Sequence, residues 1–193
     1  ISVSANGEVL GELQGAWASA NYESTGDEQV RKFESLITKA ETEIALDPNN
    51  PELLIWQGII LSTYAGKTSG LSALSLIKQA RTSLESARAL DDEALDGSVY
   101  TSLGALYYQV PGWPIAFGND KKARKYLTKA LSINPDGIDP NYFYGDFLIQ
   151  EKEYQEARSV LNKALSAKPR LGRQVADIGR RKEISKLLES ISK

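Results

Sequence analysis

The sequence has no cysteine and no histidine. Without cysteine there is no disulfide, no thiol nucleophile and no thiolate metal ligand. Without histidine, the commonest base near neutral pH and the commonest zinc ligand are missing as well. Lack of cysteine suits the periplasm and the cytosol equally. Long apolar runs are absent too. The longest, Leu53–Leu61, is interrupted by Gln57 and Gly58 and is too short to span a membrane. No segment alternates apolar and polar residues far enough to read as a strand. Neither charge sign dominates: the net charge over 193 residues is -2, so nucleic acid is not implied as a partner. Charge is uneven, however, with eight Lys/Arg against three Asp/Glu from Lys168 to Lys193. The start at Ile1 reads as that of a processed or trimmed chain, from which any signal peptide would already be missing.

What is present is helical periodicity, punctuated by proline, glycine and capping residues. Val9, Leu10, Leu13, Ala16 and Trp17 predict a helix over about 7–22. Asp27 is a candidate cap for a second helix through Phe33, Leu36, Ala40 and Ile44. Asp47-Pro48-Asn49-Asn50-Pro51 stops that helix, and Asn50 with Pro51 starts a third. A flexible 65–70 loop and an acidic junction at Asp91–Asp96 bracket the fourth. Helix five ends near Gln109, because two prolines and two glycines interrupt Val110–Gly118. Asn119 or Asp120 restarts the chain, and Asp139-Pro140 has the form of another cap-then-proline start. A last amphipathic helix follows Pro169-Arg170-Leu171-Gly172.

The residue types recur in register. Asn141–Pro169 places Tyr144, Gly145, Leu148, Ala157, Leu161, Ala164 and Pro169 at fixed offsets. Tyr100–Pro135 repeats them as Leu103, Gly104, Tyr107, Ala123, Leu127, Ala130 and Pro135. The copy before supplies Leu54, Gly58, Leu61, Ala80, Leu84 and Ala87, with Asp92 in place of proline. Small residues are needed where two helices cross closely, larger ones fill the space around the crossing, and proline ends the second helix. The pattern resembles the tetratricopeptide repeat, a 34-residue helix–turn–helix unit. The fold expected is all-α, a right-handed superhelical stack of about 3.5–4 such hairpins in one domain. Residues 1–50 would be a degenerate first hairpin, 51–92, 97–135 and 138–169 the repeats, and 173–193 a capping helix. Spacing exceeds the family's: 46 positions from Gly58 to Gly104 and 41 from Gly104 to Gly145. The extra residues fall in the turns at 64–70 and 110–118. The chain is also similar to exported bacterial tetratricopeptide proteins. It is loosely similar to the periplasmic T-component of tripartite ATP-independent transporters and to the regulator-of-microtubule-dynamics proteins. That likeness implies a periplasmic accessory or binding role, with solute binding for a transport system as the alternative to protein binding.

In the tetratricopeptide family the first helix of each repeat lines the groove. Carried over by position, the lining is Glu52, Ile55, Ile59 and Ser62; then Ser98, Thr101, Ala105 and Tyr108; then Asp139, Tyr142, Asp146 and Ile149. Such a mixture suits a peptide or an amphipathic helix from a protein partner. The competing reading is that the last helix folds back and fills the groove. Trp113, Ile115 and Phe117 form either a lid over a small-molecule pocket or a plug for the long turn. Arg170, Arg173, Arg180 and Arg181 are a candidate contact for an anion or lipid headgroup, or else an ordinary solvated helix face. Gly66-Lys67-Thr68 lacks the glycine and the strand of a phosphate loop, and Asp91–Asp96 lacks calcium-loop spacing. Asp139 and Asp146 have no activated nucleophile beside them. No enzyme, cofactor or metal site is therefore expected.

Overall fold

The computed structural model describes residues 5–112 and 114–192. Nine helices lie among the described residues: α1 (Ala5–Tyr22), α2 (Gly26–Leu46), α3 (Pro51–Ala65), α4 (Gly70–Leu90), α5 (Ala94–Gln109), α6 (Asp120–Ile133), α7 (Ile138–Gln150), α8 (Tyr154–Leu165) and α9 (Gln174–Ser190). The described residues form no strand, only an isolated bridge between Gly112 and Gly118. The fold is all-α and built of helical hairpins. The helices gather into two compact units. One holds the residues up to Ala94 together with Leu171–Ala176; the other holds Leu95–Arg170 and the residues from Asp177 onward.

Starts and stops follow local chemistry. Asn50 Oδ1 accepts hydrogen bonds from the Glu52 and Leu53 amides at 3.1 and 3.2 Å. Pro51 occupies the first turn, where an amide proton has no helical partner. Asn119 Oδ1 likewise takes the Lys122 amide at 2.9 Å. Two expected caps are not caps. Helix α2 begins after Thr25, leaving Asp27 inside the first turn. Helix α7 begins after Gly137, so Asp139 is already helical and its carboxylate is released for another use. Between α4 and the regular part of α5, Leu95, Asp96 and Gly97 all have positive φ (51, 55 and 69°). Only the glycine adopts this without strain, and space also requires it: a Cβ on Gly97 would lie 2.7 Å from Ile133 Cδ1.

Each of three hairpins is closed by the same contact. A Cβ on Gly58 would approach Leu84 Cγ to 2.5 Å, one on Gly104 would approach Leu127 Cγ to 2.6 Å, and one on Gly145 would approach Leu161 to 2.6 Å. Ala80, Ala123 and Ala157 on the second helices are wholly buried. The first unit adds an aromatic cluster around α3. Trp17 meets Trp56 edge-on at 5.7 Å and donates through Nε1 to Thr63 Oγ1 at 3.0 Å. Phe33 stacks on Tyr64 at 5.5 Å. In the second unit Leu103, Tyr107, Leu127, Phe147, Leu148 and Leu161 fill the interior.

Two glycine-to-alanine changes should move stability in opposite directions. Gly104→Ala forces Leu127 aside and should cost about 1–3 kcal/mol. Gly15→Ala, on an exposed face of α1 with nothing within 4 Å of the new Cβ, should gain about 0.5–1 kcal/mol from reduced unfolded-state freedom. Urea denaturation followed by circular dichroism reads both.

Candidate functional site

The groove positions of the first unit divide by depth. Glu52, Ile59 and Ser62 are half-buried on α3. Ile55 is 0% exposed and does not line a groove. Helices α1, α2 and α4 all pack against α3, and Ile55 is among its buried residues. Ile59 presents its carbonyl to the hydroxyls of Ser62 and Thr63 at 3.0 and 2.7 Å. Those bonds fix the Ser62 hydroxyl to its own helix rather than to a ligand.

In the second unit α5 supplies mostly buried groups. Thr101 is 5% and Tyr108 7% exposed, so neither is an open contact residue. The Tyr108 ring lies 5.6 Å from Phe147 of α7, and its hydroxyl donates to Asp146 Oδ2 at 2.7 Å. Gln109 Nε2 donates to the same hydroxyl at 3.2 Å. Burial, then the Asp146 charge, pushes the Tyr108 phenol well above its ordinary value. Asp146 itself is half-buried. Desolvation raises its carboxyl above the ordinary aspartate value, against smaller opposing effects from Tyr108, Gln109 and the charge of Arg180.

Two turns earlier on α7, Asp139 is held by cations. Arg180 Nε donates to Asp139 Oδ1 at 2.8 Å, and Arg170 Nη1 to Oδ2 at 2.6 Å. Arg170 also binds Asp177, through its amide and Nε at 2.8 Å each. Burial works against the Arg170 charge, but Asp139 and Asp177 outweigh it and raise its pKa. Arg180 Nη1 donates to Glu183 at 2.7 Å, and the guanidinium lies 4.1 Å from the Tyr142 ring centre. Burial, partly opposed by the Arg180 charge, pushes the Tyr142 phenol up to about 12. Ile184 of α9 is buried with Ile138, Leu161 and Ala164, and Tyr142 and Ile149 pack against that cluster. Helix α9 therefore covers the groove positions Asp139, Tyr142 and Ile149.

The four arginines thus do not converge on an external anion. Arg170 and Arg180 are engaged by carboxylates of their own unit. Arg181 Nη2 donates to the Ala167 carbonyl at 2.7 Å. In the first unit, Arg173 lies over Trp56, 5.0 Å from the ring centre. The partners that sequence reasoning missed are Asp177, Glu183 and Gln109. The first two had a signal: Asp177, Arg180 and Glu183 recur every third residue, which places them on one side of α9.

The long turn at 110–118 is closed on itself. The Gly118 amide donates to the Pro111 carbonyl at 2.9 Å, and the Asn119 amide to the Tyr107 carbonyl at 2.7 Å. A Cβ on Gly118 would lie 2.1 Å from the Val110 oxygen, so glycine is required there. Phe117 meets Tyr107 edge-on at 5.5 Å, acting as a plug for that unit. Ile115 does not join it and is 64% exposed. Trp113 lies outside the described residues.

Close glycine–leucine crossings repeated in successive hairpins define a helical-repeat protein. Residues 115–177 match the tetratricopeptide repeat family model. The crystal structure of MamA superposes with a TM-score of 0.50 at 22% sequence identity, covering 85% of this chain and 89% of that one. No match is found among curated protein sequences. Both findings agree with a tetratricopeptide-type helical-repeat fold.

Removing Arg180 takes one of the two cations from Asp139, leaving Arg170 in place, and takes the Arg180 contact from Glu183. Arg180→Ala should therefore cost about 1–3 kcal/mol, and amide exchange over α9 should speed up with it. Arg180→Lys keeps the charge but not the fork that serves both carboxylates, so it should recover only part of the loss. Chemical denaturation of the three proteins checks the order.

Proposed function

We propose that this chain is a non-catalytic protein-binding scaffold whose groove positions receive a segment carrying lysine or arginine. The supporting observation is Asp146. It is a half-buried carboxylate on a groove position of α7, bonded to a neutral hydroxyl rather than to a cation. A desolvated carboxylate of this kind gains most from an incoming cation, because the opposite charge arrives in a site already poor in water. Asp139, on the same helix, gains nothing further, since Arg170 and Arg180 already satisfy it. In the first unit Ile59 and Glu52 are the half-buried positions left for contact. The solute-binding alternative, with the 110–118 loop as a lid, has no comparable support, because Phe117 packs inward on Tyr107. An exported, periplasmic setting rests on the sequence resemblance alone.

Asp146→Asn separates a binding role from a structural one. The amide oxygen still accepts from Tyr108, while the charge is gone. Because the folded pKa of Asp146 is raised, its stabilising contribution is complete below the ordinary aspartate value and is lost as pH rises through the folded value. Asparagine has no such loss. The variant should therefore melt no lower than wild type at neutral pH, and its advantage should shrink as pH falls. Capture of the partner by in-cell crosslinking should nevertheless drop about tenfold or more, as for loss of a charge-assisted contact. Undiminished capture by the asparagine variant would refute the groove reading.

A further inference from the structure

Helix α6 carries four lysines on one outward face. At about 100° per residue, Lys121, Lys125, Lys129 and Lys122 fall within a sector of roughly 100°, and all four are exposed. The buried residues Ala123, Leu127 and Ala130 occupy the opposite side. Arg124 lies off the stripe, and it is the member paired with carboxylates, Glu151 and Glu153. The one acidic residue of α6, Asp120, sits in its first turn. The outward faces of α2 and α4 mix the two signs, as in Glu28–Lys32 at 3.0 Å and Glu85–Arg88 at 2.8 Å. On α6, by contrast, Lys121, Lys125 and Lys129 repeat at four-residue spacing, where like charges repel and disfavour the helix. A face meant only for water has no need of that arrangement.

An exposed apolar group lies in the loop that leads into the stripe. The loop before α6 presents Ile115, 64% exposed. Its neighbour Phe117 and the lysine Lys122 both rest on Tyr107, at 5.5 and 5.2 Å between ring centres and to the ring centre respectively. One buried aromatic ring thus holds the loop and the start of the stripe together.

We propose that α6 and Ile115 of the loop before it dock on an anionic phospholipid bilayer, the lysines at headgroup phosphates and Ile115 in the interface. Charge complementarity supplies the attraction, and each lysine near an anionic membrane surface adds to it. A nucleic acid or an acidic protein would use the lysines but has no call for an exposed isoleucine in the loop leading to them; a bilayer places an apolar phase directly below its phosphates. Lysine, a point charge on a flexible stem, suits mobile headgroups better than a fixed fork. Attachment is peripheral: no described helix is long and apolar enough to cross a membrane, and the apolar residues of α6 are buried in the repeat. These residues are not groove residues, so this inference stands or falls apart from the scaffold reading.

The test is co-sedimentation of the full chain with vesicles at low salt. One set is phosphatidylcholine alone, and the other contains about one third phosphatidylglycerol, enough to give a negative surface. Wild type should pellet only with the anionic vesicles. Partitioning should fall about tenfold or more for Lys121→Glu with Lys125→Glu, and about threefold for Ile115→Ser. Both variants should keep the wild-type melting curve, since all three positions are exposed. Absence of pelleting with anionic vesicles overturns the proposal, and so does pelleting that ignores the lysine changes. Binding to duplex DNA or polyglutamate that needs the lysines, while Ile115→Ser leaves vesicle binding intact, means recognition of polyanions and also overturns it.

Discussion

Three hairpins are held by one steric condition: a glycine on the first helix faces a leucine on the second at a distance that leaves no room for a methyl group. Gly58 with Leu84, Gly104 with Leu127 and Gly145 with Leu161 repeat it within a tenth of an ångström. Once the backbones come that close, the neighbouring positions are decided as well. Alanine at 80, 123 and 157 is what fits on the second helix, and all three are sealed from solvent. Large side chains can sit only at the margins of the crossing, where Tyr107, Leu103 and Leu148 are found. The groove positions are those left pointing away from the crossing. What each of them can contact is limited by whatever else the chain lays over it.

In the second unit α9 lies over Asp139, Tyr142 and Ile149, and it is fixed by charge as well as by apolar contact. Ile184 enters the cluster of Ile138, Leu161 and Ala164. Apolar burial of that kind is non-directional and tolerates rotation of the helix. The ion pairs do not. Asp139 accepts from Arg180 on one oxygen and Arg170 on the other, while Arg170 turns its remaining donors to Asp177. Burying these charges costs desolvation free energy that the pairing roughly offsets. Their effect is on geometry more than on net stability: one orientation of α9 brings Arg180 to Asp139 and Asp177 to Arg170 together.

Much of this was legible in the sequence because packing constrains residue type at fixed offsets. The glycine–leucine crossings, the Asn50 and Asn119 caps and the interruption at 110–118 all follow from local rules. Most of what was misread has one reason. Repeat position tells which side of a helix a residue occupies, but not what covers that side. Ile55, Thr101 and Tyr108 hold groove positions and are nevertheless buried. Arg170 and Arg180 read as surface cations because their carboxylate partners are 31 and 41 residues away at Asp139. Asp139 read as a cap because Asp-Pro is a common helix start, yet Gly137 begins the helix instead. The lysine stripe of α6 is different: it is visible from spacing alone once the like-charge repeat is set against the mixed faces of α2 and α4.

Asp146 and the stripe represent opposite uses of charge. The carboxylate is half-buried, so its interactions are screened little by salt and depend on how closely a partner's cation can approach. The lysines are exposed, so each contributes weakly, and the sum depends on their number and on ionic strength. A partner bound through Asp146 should survive moderate salt and be sensitive to one substitution. Attachment through α6 should fade steadily with salt and be sensitive to the count of lysines rather than to any one of them. The two surfaces can thus be told apart by ionic strength before a single residue is changed, because the difference arises from burial, not from the identity of the ligand.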